Sequence, residues 1–449
     1  MNMQATLAQA MQLKESGNLE AAAQQFSAVL SAEPNQPEAN FHLASILAHA
    51  GRVPEATTYM ERAAAAAPEQ PEVLAALAQL YGAAGRYDHA ADLYEKIIAS
   101  VPRGPATVQA LLHHGVMRAR ANRYGDAAED FKWVTQMSPD YAPGWHNLGN
   151  VMLKMKNRKG AVNAFRKALE LEPGKPTVTY ALGRALIWTK AYDEAIEVLT
   201  RAVGLAPERP QIISYKVLAL RLAGRAEEAD ALEGLEDLIV SVDLAPPPGF
   251  SSIADWNEVL RNEIMNHHAL AAAQGGAAQA QNKIQSFSDV FGQNKTPVLH
   301  AFEEQLRAGM AEAQAQMPDR VDHPLLQMKP RGYALNGTVG VIAGLENQRE
   351  HNSPESWFSG TYYCAVPSEI SGGGETGAGW TEFGGTPPDM PSFEDAPRRQ
   401  VQPTAGRLII GPSYVYRHRL PFQSTEPLVF CGFDTRPQAW DRASASSHS

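Results

Sequence analysis

The sequence predicts a multidomain α + β protein, with an all-α solenoid of helix pairs followed by an all-β sandwich or barrel. Prolines recur at a nearly constant spacing through the first 235 residues. From Gly332 onward the helical periodicity stops, and short runs of β-forming residues alternate with glycine and proline clusters. A chain of 449 residues is also too long for one ordinary core, so two or three domains are expected.

The proline spacing identifies the repeat. The separations are 34, 34, 37, 34 and 34 residues, between Pro34, Pro68, Pro102, Pro139, Pro173 and Pro207. A period of 34 residues is that of the tetratricopeptide repeat (TPR), in which each repeat is a helix pair. The single spacing of 37 indicates a three-residue insertion near residues 103–106. We therefore predict about seven repeats, in a TPR solenoid over residues 1–235.

Other positions keep phase with the prolines. A small residue of the second helix recurs at Ala22, Ala56, Ala90, Ala127, Ala161, Ala195 and Ala229. The turn between the two helices carries Gly17, Gly51, Gly85 and Gly224, with Asn122, Lys156 and Lys190 in the other repeats. Small residues let two helices cross closely, and proline ends the second helix. Because one pair cannot bury its own apolar face, successive pairs stack.

Stacked TPRs present a concave groove that is lined by the first helix of each pair. In repeats five and six the positions implied to face this groove are aromatic, amide and basic: His146, Asn150, Lys154, Tyr180, Arg184 and Trp188. Such a mixture suits a protein or an extended peptide with its carboxylate. The alternative is an ordinary solvated helix face.

Composition restricts the partners. The formal net charge of −10 argues against nucleic acid or an anionic membrane, because both need a basic footprint. No window approaches about 18 uncharged apolar residues, and the first residues do not resemble a signal peptide, so we expect a cytoplasmic protein. The two cysteines, Cys364 and Cys431, are too few for a disulfide framework and are expected in the core.

Residues 236–330 are predicted as a helical connector, with helices at Ala254–His267 and Val298–Met310 and a flexible linker at Ala269–Gln281. The β-domain is predicted over residues 331–438, and residues 439–449 are predicted as a disordered tail. The candidate strands of the β-domain are Tyr333–Ile342, Trp357–Val366, Gly379–Phe383, Gly406–Ile410, Tyr414–Leu420 and Leu428–Phe433.

Three stretches of the β-domain carry a family resemblance. They are the run from His351 to Tyr363, the run Gly379–Gly384, and the run from Gly406 through Pro421-Phe422 to Asp434. These runs resemble the 2-oxoglutarate/Fe(II) oxygenases that are often fused behind TPRs. The resemblance implies a double-stranded β-helix of jelly-roll or cupin-like form, with Fe(II) and 2-oxoglutarate as cofactors for hydroxylation if the domain is active.

The resemblance also implies where the ligands lie. Two histidines and a carboxylate commonly hold the iron, and an arginine pairs with the distal carboxylate of 2-oxoglutarate. The first ligand position is His351, but the second is Ser353. The distal position, four residues before the proline of the Pro-Phe pair, is Arg417. Leu428 stands where the family has the arginine of Glu-Pro-Arg.

Two main interpretations follow. In the first, the domain is a degenerate, non-catalytic pseudoenzyme attached to a TPR scaffold. In the second, it is an active dioxygenase with an altered site that hydroxylates a peptide held by the TPR groove. The metal residues would then be His351 and His418 with Glu350 or Glu355, and the cosubstrate residues Arg417 and Arg419. His418 requires a β-bulge, because a one-residue shift reverses the direction of a side chain. A third interpretation is an unrelated cupin-like sugar or metal binder.

Overall fold

The computed structural model describes residues 3–267, 284–288, 290–292, 295–320, 322–327, 330–345, 348–371 and 377–440. The chain forms two compact units, Met1–Ala185 and Leu186–Ser449. Within the described ranges, no helix is long and apolar enough to cross a membrane. The predicted linker at 269–281 lies outside the described residues, as do residues 441–449 of the predicted tail.

Fourteen helices form seven consecutive pairs, which confirms the predicted repeat architecture. In the first unit they are α1 (Met3–Glu15), α2 (Leu19–Ala32), α3 (Pro37–His49), α4 (Val53–Ala66), α5 (Pro71–Ala83), α6 (Tyr87–Ser100), α7 (Pro105–Arg120), α8 (Tyr124–Met137), α9 (Ala142–Lys154) and α10 (Arg158–Leu171). Helix α11 (Pro176–Trp188) spans the boundary between the units, and the second unit continues with α12 (Tyr192–Leu205), α13 (Gln211–Leu222) and α14 (Ala226–Glu233).

The turn inside each pair contains one residue with a positive φ, at every position where the sequence predicts the turn: Gly17, Gly51, Gly85, Asn122, Lys156, Lys190 and Gly224. At Lys156 the backbone N–H donates to Leu153 O at 3.0 Å, and the next N–H, of Asn157, donates to Met152 O at 2.8 Å. This pair of hydrogen bonds satisfies the last carbonyls of the first helix. A left-handed residue is therefore a requirement of the turn, whichever residue supplies it.

Close packing explains the small residues. All seven alanines of the second-helix series are fully buried. Gly149, on α9, lies so close to α10 that an added Cβ would come within 2.6 Å of the buried ring of Phe165. The two helices of this pair can approach only because position 149 has no side chain.

The β-domain lies in the second unit with three further helices, α15 (Ile253–Asn266), α16 (Pro297–Gln316) and α17 (Ser368–Ser371). Its described strands are β1 (Val240–Asp243), β2 (Ile284–Ser288), β3 (Pro330–Leu345), β4 (Phe358–Ala365), β5 (Thr381–Phe383), β6 (Arg399–Val401), β7 (Arg407–Pro412), β8 (Arg417–Arg419) and β9 (Phe422–Trp440).

These strands form two antiparallel sheets. The large sheet has the order β1-β7-β4-β9-β3-β2, and the small sheet has the order β6-β5-β8. The arrangement is consistent with a jelly roll, although the two sheets do not close into one hydrogen-bonded barrel. The segment predicted as a helical connector also contributes β1 and β2, which pair with β7 and β3. Sequence analysis missed these strands and β6, which have five residues or fewer, although it predicted strands at β5 and β8, which have three residues each.

Helices α15 and α16 cover one face of the large sheet. The hydroxyl of Tyr362 on β4 donates to Asn257 Oδ1 on α15 at 2.6 Å, and its ring packs against Phe302 of α16. The adjacent Tyr363 points to the opposite face, where its hydroxyl lies 2.7 Å from Thr381 Oγ1 on the small sheet. Strand alternation therefore directs every second residue of β4 into the space between the sheets.

We expect opposite effects from alanine at two helical glycines. Gly149→Ala should lower the free energy of unfolding by about 1–3 kcal/mol, because the new methyl group overpacks against Phe165. Gly125→Ala on α8, where an added Cβ meets nothing within 4 Å, should raise it by about 0.5–1 kcal/mol. Urea unfolding of the full chain measures both. Stabilisation by both substitutions would contradict the close-packing argument.

Candidate functional site

A cavity of about 90 Å³ lies between the two sheets of the β-domain. Strand β8 of the small sheet borders it on one side, and β4 and β9 of the large sheet border it on the other. Its lining residues are Gln348, His351, Thr361, Thr381, Arg417, His418, Arg419, Phe430 and Gly432. The two histidines and two arginines that the sequence singles out for metal or cosubstrate therefore border one cavity, whereas Glu350 and Glu355 do not line it.

His351 and Arg417 lie directly opposite each other in an isolated antiparallel bridge. The N–H of His351 donates to Arg417 O at 3.0 Å, and the N–H of Arg417 donates to His351 O at 2.9 Å. Residues that exchange both hydrogen bonds present their side chains on the same face. Burial, and then the charge of Arg417, lower the pKa of the His351 imidazole, so this ring is neutral at pH 7.

The guanidinium of Arg417 lies close to the hydroxyls of two serines, Ser359 and Ser353. It donates to Ser359 Oγ, and its second Nη lies 3.5 Å from Ser353 Oγ. Its second Nη also lies 3.9 Å from a carboxylate oxygen, Asp434 Oδ1. Burial lowers the pKa of Arg417, and the charge of Asp434 opposes that effect. The three positions implied for iron ligands, 351, 353 and 417, thus lie together in space.

His418 points to the other face of β8. The pairing of β5 with β8 is regular, with Glu382 opposite His418. His418 Nε2 lies 3.7 Å from Glu382 Oε1, and Arg398 approaches the same oxygen at 3.6 Å. Arg398 also forms an ion pair of 2.7 Å with Glu350. No bulge turns His418 toward the face of His351 within this register.

Among the described residues, no group of three or more His, Cys, Asp or Glu side chains could hold a metal ion. Glu355, the second carboxylate considered from the sequence, is 78% exposed at its side chain and lies 3.9 Å from Arg436. The two cysteines are buried and free, as expected for small core residues.

Arg419 is a second buried cation, and it contacts aromatic rings rather than serines. The residue is only 6% exposed, and its guanidinium lies over the ring of Phe430 at 4.1 Å and that of Tyr363 at 5.6 Å. Its Nε is buried without a hydrogen-bond partner. Its backbone N–H donates to Gln348 Oε1 at 2.7 Å. Within the described part of the chain, no carboxylate forms an ion pair with this arginine.

The predicted groove residues lie on the first helices of repeats five and six. On α9, a ring nitrogen of His146 lies 3.2 Å from the amide of Asn150. On α11, the guanidinium of Arg184 lies 5.4 Å from the centre of the Tyr180 ring. None of the six is fully buried: His146, Asn150, Lys154, Tyr180, Arg184 and Trp188.

Comparison with known families agrees with both halves of the chain. A tetratricopeptide-repeat model matches residues 13–80, 47–113 and 153–216. A second model, described as "Putative 2OG-Fe(II) oxygenase", matches residues 341–434. The repeat half of the chain is therefore similar to TPR proteins, and residues 341–434 are similar to an oxygenase family. The match to the second model includes every residue of the cavity named above.

Solved TPR structures resemble the repeat half. A tetratricopeptide repeat protein from Parabacteroides merdae is 16% identical, with a TM-score of 0.43 over 51% of this chain and 90% of that one. YrrB, described as "a TPR protein with an unusual peptide-binding site", is 14% identical, with a TM-score of 0.35 over 46% and 99%. MamA from Desulfovibrio magneticus is 19% identical, with a TM-score of 0.34 over 36% and 89%. No curated protein matches the chain.

We expect the free energy of unfolding to depend on the carboxylate of Asp434. Asp434→Asn should lower the free energy of unfolding by about 1–2 kcal/mol, because it removes a carboxylate that faces the buried Arg417. Glu355→Gln removes a carboxylate that lies equally far from an exposed arginine and should change stability by less than about 0.5 kcal/mol. Thermal unfolding measures both variants. Equal effects would mean that Asp434 does not compensate the charge of Arg417.

Proposed function

We propose that the chain is a protein-interaction scaffold whose TPR groove holds a protein or peptide and whose oxygenase-family domain does not use ferrous iron. The guanidinium of Arg417 carries this proposal. It occupies the position implied for the distal iron ligand, and it lies beside the hydroxyl at the position implied for the second ligand.

The donor set does not fit ferrous iron. A facial iron site needs imidazole and carboxylate groups that offer electron pairs to one point. His351 can offer one pair, and Ser353 offers only a neutral hydroxyl. Arg417 carries five N–H donors and no acceptor, so it cannot ligate a metal.

His418 does not repair this set. It shares a strand face with Glu382, whereas His351 shares a face with Arg417. The carboxylate of Glu350 is engaged by Arg398. The guanidinium of Arg417 would also repel a dication placed beside it. At an effective dielectric constant of about 20, this repulsion is on the order of several kcal/mol at contact distance.

The scaffold half is supported by seven complete helix pairs. One helix presents the imidazole, amide and ammonium groups of His146, Asn150 and Lys154, and α11 presents Tyr180 and Arg184. Donors of this kind suit the backbone and terminal carboxylate of an extended peptide, and the aromatic ring suits its apolar side chains. Protein or peptide binding is therefore the activity that the repeat half supports best.

Cobalt(II), an air-stable substitute for Fe(II), tests the metal part of the proposal. We expect no visible Co(II) absorption band with the wild-type chain. The double variant Ser353→Asp, Arg417→His regains the ligand pattern that the family resemblance implies and should gain such a band. The same variant with His351→Ala should lose it. Coupled binding of Co(II) and 2-oxoglutarate to the wild-type chain, lost in His351→Ala and His418→Ala, would instead support an active dioxygenase.

Peptide binding tests the groove. The probe is a library of extended peptides, each present with a free C-terminal carboxylate and as the matched amide. We expect a preference for the free acid that falls by about tenfold or more in Arg184→Ala, because a charge-assisted hydrogen bond is lost. Arg201→Ala, an exposed arginine on the second helix of the same repeat, is the matched control and should leave binding unchanged. Equal losses in the two variants would argue against a role for the predicted groove.

A further inference from the structure

The cavity of the β-domain contains more positive charge than its described residues neutralise. Arg417 and Arg419 both border it, and Asp434 is the carboxylate that lies near Arg417. Glu382 lies on the opposite face of the small sheet with His418 and Arg398. Among the described residues, two guanidinium groups therefore face one carboxylate at this cavity, which is an excess of one positive charge.

We infer that this cavity is a metal-independent binding site for the carboxylate of a small organic acid, with Arg419 as its main contact. Arg419 is more than nine-tenths buried, and its Nε has no hydrogen-bond partner. Its guanidinium lies 4.1 Å from the centre of the Phe430 ring and 5.6 Å from that of the Tyr363 ring, at cation–π distances that favour a defined orientation of the planar group. A guanidinium held in this way matches a carboxylate in a bidentate pair.

Further donors border the same space. Thr361 and Thr381 line the cavity, and the hydroxyl of Thr381 also lies 2.7 Å from that of Tyr363. Gln348 uses its amide oxygen to accept from the backbone of Arg419, so its amide nitrogen remains a donor. These neutral groups add hydrogen bonds for carboxylate oxygens without changing the charge of the site.

Charge and size favour a carboxylate over phosphate. One carboxylate group matches the excess among the described residues, whereas a phosphate dianion carries both charges on one group and would leave a buried negative charge unmatched. A volume of about 90 Å³ equals that of about three water molecules. It suits one carboxylate with a short carbon chain.

This site differs from an iron-bound cosubstrate site. The arginine that the family resemblance implies for 2-oxoglutarate is replaced by Leu428, and the cations here come from β8 instead. The inference rests on the proposed function, because both require that the domain has no fitting iron site. The titration below distinguishes the failure of the inference from the failure of the proposed function.

The test is calorimetric titration of acetate, succinate, 2-oxoglutarate and phosphate into the full chain in the presence of EDTA. We expect a carboxylate to bind without metal and phosphate not to bind. Arg419→Met should weaken binding by about tenfold or more, because a charge-assisted pair is lost. It should also raise the thermal midpoint of the ligand-free chain, because it replaces an unmatched buried charge by an apolar side chain of similar length.

A second variant tests the cavity without changing charge. An added Cβ at Gly432 would meet only Thr338 O, at 3.9 Å, so Gly432→Val should fold and should block binding by filling the space. Arg436→Met, an exposed arginine on the same strand, is the matched control and should bind like the wild type.

The outcomes are distinct. Absence of binding by every acid, or binding of phosphate alone, would overturn the carboxylate site and leave the scaffold proposal intact. Binding that requires added Co(II) and disappears in His351→Ala would overturn both. Carboxylate binding in EDTA that is lost in Arg419→Met and Gly432→Val, but kept in Arg436→Met, would establish the site.

Discussion

The burial of guanidinium groups is the constraint on which the chemistry of the β-domain depends. Moving a charge out of water costs several kcal/mol even after the protein relaxes, so buried charges are normally paired. Arg417 meets this requirement in part, through Ser359, Ser353 and the carboxylate of Asp434. Arg419 contacts the rings of Phe430 and Tyr363, and no carboxylate among the described residues forms an ion pair with it. Such a cation lowers the stability of the domain unless an anionic ligand pairs with it.

Strand geometry determines which charges meet. Helices α15 and α16 cover one face of β4, so its alternate residues, Thr361 and Tyr363, must face the small sheet. On β8 the same alternation places Arg417 and Arg419 toward one face and His418 toward the other. A shift of one residue along β8 would therefore place the imidazole of His418, instead of the guanidinium of Arg417, on the face of His351.

Much of this organisation follows from the sequence. The proline period, the buried alanines and the turn residues predict the solenoid because each repeat imposes the same steric requirements. Pattern also predicts the long strands, but not short strands such as β1, whose pairing with β7 is a long-range contact. The family resemblance locates positions 351, 353 and 417, yet the absence of a bulge at His418 can be found only from the pairing of β5 with β8. The proximity of Asp434 to Arg417 likewise follows only from the sheet register.

We propose that guanidinium groups, rather than a metal ion, provide the positive charge of this cavity. A crystal structure of the full chain soaked with Co(II) and 2-oxoglutarate, with data collected at the cobalt absorption edge, tests this proposal most directly. We expect no anomalous peak beside His351 and a carboxylate within hydrogen-bonding distance of Arg419. An anomalous peak coordinated by His351 and by 2-oxoglutarate would contradict it.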